Sequence, residues 1–296
     1  MAGTSPATST PITTPAHRLR LLGVRGCGPI CAGGRFNPEI AHPARVHAYW
    51  LGGKDHYRAD REAGEEVIRC RPQVVDGAWA NRAFLARAVR YLARQRGVRQ
   101  FVDIGCGLPA PGSTHEVAQA AVSQARVVYV DNDPLVLSHA RALLASSPEG
   151  ACDYIDADLR DPDVIVREAA RTLDFADPVA VLLLAVLHFI PDSEDPAGIV
   201  AALAAGLAPG SFIAVSHLTA DSAPEQVSSG VAAYNALVPA GITARSHAGV
   251  TALLGGQSLV APGVVPVPEW RPDTGRWSGQ PADLYAGLAT VGRRSR

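Results

Sequence analysis

The chain has 296 residues, 47% of them hydrophobic and 19% charged, with a formal net charge of -1. This is the composition of a folded domain, because a disordered chain carries fewer apolar side chains and more net charge. The near-zero charge argues against a nucleic-acid or anionic-membrane surface, since either partner demands a basic face.

No apolar run reaches the roughly 18 residues a membrane helix needs. The N-terminus lacks the basic head and apolar stretch of a secretory signal. A cytoplasmic location is therefore expected. The five cysteines, Cys27, Cys31, Cys70, Cys106 and Cys152, are odd in number and mostly scattered, which suits reduced thiols. Cys27 and Cys31 have no second pair at a zinc-site spacing, so no metal is expected.

Residues 1–37 are rich in Thr, Ser, Pro, Ala and Gly without a sustained period, and read as a disordered leader. Residues 38–98 read as an N-terminal helical cap. Its first half is polar, aromatic and charged, with a short helix over 60–71. A clearer helix covers 81–96, where Phe84, Leu85, Ala88, Val89 and Leu92 form one stripe. Residues 99–296 form the core. Short apolar runs at 100–104, 126–130, 152–155, 179–184 and 211–215 read as strands. Helical stretches fall between them at 114–124, 134–146, 161–172 and 196–207. Strands alternating with helices imply a doubly wound, mostly parallel α/β sheet with right-handed crossovers. The fourth strand is apolar throughout, as a strand covered on both faces should be. Beyond the fifth strand the pattern weakens, to helices over 227–237 and 244–254, a strand over 259–267 and a last strand over 285–291.

Three motifs stand at the ends of the first three strands. Asp103-Ile-Gly-Cys-Gly107 puts Gly105 and Gly107 where a tight turn and a close ligand forbid a Cβ. Val130-Asp-Asn-Asp133 puts Asp131 and Asn132 after the second strand, where an acid can accept hydrogen bonds from both ribose hydroxyls of a nucleoside. Asp156-Ala-Asp158-Leu-Arg-Asp161 follows the third, where Asp158 and Leu159 lie near the base of such a ligand. Asp161, before Pro162, reads as a helix N-cap. A nicotinamide dinucleotide site is an alternative, but Ala110 stands at the third glycine position and Pro109 and Pro111 crowd the helix start that would hold a pyrophosphate. A Tyr-x3-Lys catalytic pair is also missing, since Lys54 is the only lysine.

The block running from His42 to Arg61, together with Asn81-Arg-Ala-Phe-Leu85, Val128-Tyr-Val-Asp-Asn-Asp-Pro134, Asp158-Leu-Arg-Asp-Pro162 and Ala185-Val-Leu-His-Phe-Ile-Pro-Asp192, resembles an actinobacterial family of S-adenosylmethionine-dependent methyltransferases once catalogued as a domain of unknown function. The resemblance covers about residues 37–291. It implies the seven-stranded class I methyltransferase sheet and S-adenosylmethionine as cofactor. It also implies that Asp103 organises the loop around the methionine part. Cys106 stands where Thr is common in the family, and the acceptor is left unassigned.

Methyl transfer is an in-line displacement in which alignment supplies much of the rate, with a base where the acceptor must lose a proton. His188, just after the fourth strand, is the candidate base or else a wall of the pocket. His217, after the fifth, is a second acceptor-side candidate. No Asn-Pro-Pro-aromatic sequence follows the fourth strand, which argues against methylation of adenine or glutamine amino groups. Gly52-Gly53 makes a turn for a lid, with Arg45, Lys54, Asp55, Tyr57 and Arg61 as candidates for cofactor or acceptor contact. Glu269 and Trp270 are placed to close the far side. The functional expectation is methyl transfer to a small-molecule acceptor. The alternatives are a nicotinamide-dependent oxidoreductase and a non-catalytic cofactor-binding module. The oligomeric state is not encoded in any of these features.

Overall fold

The computed structural model describes residues 37–143, 146–273 and 282–292. The expected leader and the Cys27/Cys31 pair lie outside these residues. Residues 35–296 form one unit by internal contacts.

Eight strands form one sheet: β1 (Gln100–Ile104), β2 (Arg126–Asp131), β3 (Ala151–Asp156), β4 (Val179–Leu184), β5 (Phe212–Leu218), β6 (Ser258–Leu259), β7 (Val265–Pro266) and β8 (Leu284–Thr290). The hydrogen-bonded path is β3-β2-β1-β4-β5-β8-β6, with β7 also pairing β8. β3, β2, β1, β4 and β5 run parallel, and β8 is antiparallel beside β5. The last expected strand is β8. The one expected over 259–267 is broken into β6 and β7, because Pro262 cannot donate to a ladder and Gly263 turns with φ 92°.

Side chains alternate across the parallel strands with the two-residue period of extended chain. Val102, Val128, Val181, Leu183, Ile213 and Val215 meet α6 (Pro162–Ala169), α7 (Pro196–Ala205) and α9 (His247–Leu253) on one face. Phe101, Val127, Ala180, Leu182, Phe212 and Ala214 meet α3 (Val74–Gln95) and α4 (Thr114–Ala121) on the other. Both faces are dry, so β4 carries no polar side chain. α5 (Pro134–Leu143) connects β2 to β3.

A smaller cluster holds the cap together. Val46 of α1 (Pro43–Trp50), Ala63 and Val67 of α2 (Arg58–Cys70) and Tyr234 of α8 (Pro224–Leu237) pack with Ala41 and Val238. α1 has no counterpart among the expected helices. Only Arg45, Val46 and Ala48 are buried on its eight residues, too few to set a period, and Pro43 is the main start signal. α3 begins seven residues before the expected start, since Asp76 and Gly77 interrupt the apolar pattern of its first turn.

Trp270 does not close the far side of a cleft, as the sequence suggested. It is fully buried in the sheet's core, edge-on to Phe84 at 5.4 Å and Tyr91 at 5.7 Å. Arg87 donates to the Trp270 and Val267 carbonyls at 3.0 and 2.7 Å, strapping this segment to α3. Glu269 is exposed. Among the described residues, no helix is long and apolar enough to cross a membrane, and no cluster of His, Cys, Asp and Glu is placed to hold a metal.

Candidate functional site

The chain leaves β1 toward β2 and β3 on one side, then crosses to β4 on the other. This strand order opens a crevice at the carboxyl ends of β1 and β4, the place where open α/β sheets bind ligands. A cavity of about 550 Å³ lies there, roofed by α1, α2 and α8.

Asp103, Gly105, Cys106, Gly107, Asp131, Asn132, Asp158, Leu159 and His188 all line this cavity. Strand register explains the convergence. Asp103 pairs with Tyr129 and Ile104 with Val130, so the glycine turn and Asp131 leave the sheet side by side. Asp131 pairs with Asp156, which brings Asp158 to Asn132. Asn132 then donates to Asp158 at 3.0 Å.

The glycine turn is held from three sides. The Gly105 N–H donates to the Val130 carbonyl at 2.8 Å. Thr114, at the start of α4, donates to Asp103 at 2.6 Å. Arg82 of α3 donates to the Ala110 carbonyl at 2.6 Å. Gly105 has φ 72°, and a Cβ there would lie 2.5 Å from Val186, so both conformation and space demand glycine. Gly107 has φ 65°, and a Cβ there would meet no protein atom within 4 Å.

Asp131 is buried. Its carboxylate accepts from the Gly107 N–H at 2.9 Å and the Asp133 N–H at 3.0 Å. An ionised carboxylate has about four lone-pair sites, so acceptor capacity remains toward the cavity. Burial pushes its pKa up to about 6, against the pull of these backbone donors. Asp158 is shifted the other way. Burial would raise it, but the Arg160 N–H, the Asn132 amide and the Arg160 guanidinium prevail and lower it.

His188 sits on a one-turn helix over Leu187–Phe189. Ala185, just before it, has φ 53°, a strained value for a residue with a Cβ. Ser216 accepts from its N–H at 2.9 Å and holds that turn. Arg245 clamps the segment by donating to the Leu187 and Ile190 carbonyls at 3.1 and 2.7 Å, while also pairing with Asp192 at 2.6 Å. The His188 Nδ1 is buried without a hydrogen-bond partner. Burial, aided by the neighbouring His217, His47 and Arg245, holds its pKa well below the usual imidazole value, so the ring is neutral.

The remaining sequence candidates do not reach the cavity. His217 is fully buried behind His188, ring centroids 5.7 Å apart, with Nδ1 at 2.7 Å from the Leu218 carbonyl and Nε2 at 2.7 Å from Arg245. It backs the wall. Arg45 is buried beneath the cap, its Nε 3.5 Å from Asp60 and 4.0 Å from Asp133. Tyr57 caps α2, its N–H donating to Asp60 at 2.7 Å. Lys54 and Asp55 are exposed, with Asp55 3.5 Å from His139. Arg61 reaches only His56, at 3.3 Å.

Among the polar and aromatic lining residues that sequence reasoning missed are His47 and Trp50 of α1, Asn81 and Arg82 of α3, Phe189 after β4 and Tyr234 of α8. Asn81 accepts from Ser216 at 2.6 Å, tying α3 to the end of β5. His47, Trp50 and Asn81 do lie in the segments that carried the family resemblance. Tyr234 has no such signal.

Strand order, a glycine turn after β1 and an acid after β2 define a class I methyltransferase. The S-adenosyl methyltransferase family profile matches residues 32–295, and the chain belongs to that family. It is thus an S-adenosylmethionine-dependent enzyme, and the nicotinamide alternative finds no support. It is similar to a DUF574 family protein from Streptomyces avermitilis, at 41% identity and TM-score 0.82 over 86% of this chain and 98% of that one. It is also similar to a candidate methyltransferase from Thermobifida fusca, at 36% identity and TM-score 0.79 over 86% and 96% of the respective chains. No functionally curated protein matches the chain.

The raised pKa of Asp131 sets a pH dependence. Only the ionised carboxylate can accept hydrogen bonds from two hydroxyls, so affinity for S-adenosylhomocysteine should rise with pH through about 6 and level off above it. At pH 5 about a tenth of the groups are ionised, so binding should be about tenfold weaker than at pH 7.5. Calorimetric titration at the two pH values checks this, and an Asp131→Asn protein should lose the dependence.

Proposed function

We propose that the enzyme methylates a small-molecule acceptor, with cofactor and acceptor side by side in the one roofed cavity. The observation that carries this reading is the continuity of that cavity from the glycine turn and Asp131 to His188 and the aromatic roof. A drug-sized ligand fits such a volume, whereas a folded protein substrate needs an open cleft.

S-adenosylmethionine supplies an electrophilic methyl group. Asp131 would take the ribose hydroxyls with its remaining lone pairs. Asn132, Asp158 and Leu159 would flank the base, with Asp158 fixed by Asn132 and Arg160. The turn over Gly105–Gly107, with Asp103 and Cys106, would receive the methionine part, since Gly107 leaves open space beside the cavity. The roof of α1, α2 and α8 would shield the reacting groups from part of the bulk water, which strengthens polar contacts beneath it.

On the acceptor side, His188 lines the cavity and its ring is neutral, the form that can take up a proton. As the methyl passes to the acceptor oxygen or nitrogen, the cofactor sulfur keeping the bonding pair, the His188 ring would take the proton that the acceptor loses and pass it to water. General-base assistance of this kind contributes about 10²–10⁴-fold. A His188→Ala protein should therefore lose at least a hundredfold in kcat on any acceptor that turns over, with unchanged affinity for S-adenosylhomocysteine. Unchanged kcat would reduce His188 to a wall of the pocket.

A further inference from the structure

We propose that the acceptor is a flat aromatic molecule without an anionic group, bearing a ring hydroxyl or ring N–H and clasped by an arc of five ring side chains. The proposal rests on the methyl-transfer reading above. The arc runs from His47 and Trp50 of α1 to Tyr234 of α8, then to Phe189 and His188 after β4. Successive ring centroids are 6.4, 6.5, 6.4 and 4.4 Å apart, and all five residues line the cavity. Rings separated by such distances offer faces and edges to another aromatic ring in the offset and edge-on geometries that such pairs prefer.

Charge decides between ligand classes. Arg71 is held at the mouth by both oxygens of Asp283, at 2.7 and 2.9 Å. Arg160 is taken by Glu194 and Asp158. Arg82 is spent on the glycine turn. His47 and His188 are neutral through burial. An anionic acceptor would thus lose its hydration without meeting a free counter-ion, a cost that no contact here offsets. Hydrogen bonding then places the reacting group. Trp50 Nε1 already donates to the Gly64 carbonyl at 3.2 Å, whereas His188 lines the cavity at the end of β4. A ring hydroxyl or N–H turned toward the His188 imidazole would bring the nucleophile to the end of β4.

The test is calorimetry on the protein saturated with S-adenosylhomocysteine, using 2-naphthol, 2-naphthoate and decahydro-2-naphthol as probes. The first should bind at one site. The charged naphthoate should bind at least tenfold more weakly, and the saturated alcohol at least about fivefold more weakly, the value of one aromatic contact. Tyr234→Ala should weaken 2-naphthol by a similar factor without changing S-adenosylhomocysteine binding. Should that protein fail to fold, Trp50→Leu serves the same purpose. Equal binding of naphthoate or of the saturated alcohol would overturn the proposal, as would binding of S-adenosylhomocysteine with none of 2-naphthol. Failure of S-adenosylhomocysteine itself to bind would instead sink the cofactor site on which the proposal stands.

Discussion

An Asp131→Ala protein is expected to bind S-adenosylmethionine and S-adenosylhomocysteine at least a hundredfold more weakly than the parent, with its fold retained. The two ribose hydroxyls would donate to an ionised group, and such hydrogen bonds contribute about 1.5–3 kcal/mol each. Losing two amounts to about 3–6 kcal/mol, or two to four orders of magnitude. The same truncation frees the Gly107 and Asp133 N–H groups, which now converge on this carboxylate. The glycine turn would then lose its tie to the end of β2. Stability should fall little, because burial already disfavours the ionised carboxylate, as its raised pKa records. Calorimetric titration beside a thermal melt separates the two effects. Parental affinity in a folded Asp131→Ala protein would remove the ribose role.

The second large effect concerns stability. Arg45 is buried among Asp60, Asp133 and the Ile40 carbonyl, which accepts from it at 2.8 Å, and its guanidinium lies 5.4 Å over the Tyr57 ring. Asp60 is fully buried and also accepts from the His42 N–H at 2.9 Å. His42 Nδ1 in turn lies 3.1 Å from Asp133. This knot joins α1, the start of α2 and the loop after β2. Removing one member of a buried ion pair leaves its partner charged and dry, at a cost of about 3–5 kcal/mol. Arg45→Ala should therefore lose about 3 kcal/mol in urea unfolding. It should also weaken S-adenosylhomocysteine, because Asp133 orients Asp131. Arg58→Ala removes only exposed pairs with Glu39 and Glu62 and should leave the unfolding midpoint unchanged. A midpoint for Arg45→Ala equal to the parent's would show that the knot contributes nothing to holding the cap.

The contrast between Asp131 and Arg45 shows what the sequence reveals. Asp103, Gly105, Gly107, Asp131 and Asp158 sit at strand ends, where local chain chemistry and the strand-helix alternation together fix their position. Their places were legible because a turn needs glycine and a sheet end exposes an acid whatever packs above. Arg45, Tyr57 and Arg61 looked equally reactive in the Gly52-Gly53 segment. Their fate depends on how α1 and α2 fold down, and that packing buries one, makes another a cap and leaves the third at the surface. His217 was misplaced for a similar reason. Along β5 it is one residue from Ser216, and only the tertiary partner Arg245 shows that its ring faces away from the cavity. Tyr234 was illegible because α8 is brought to the site by tertiary packing, on α2 and against Trp50 and Phe189.

The most direct test of the central claim is a crystal structure with S-adenosylhomocysteine bound. The ribose hydroxyls should lie within hydrogen-bond distance of Asp131, the adenine beside Asn132 and Leu159, and the sulfur toward His188. A ligand bound elsewhere, or one whose ribose leaves Asp131 held only by Gly107 and Asp133, would contradict it.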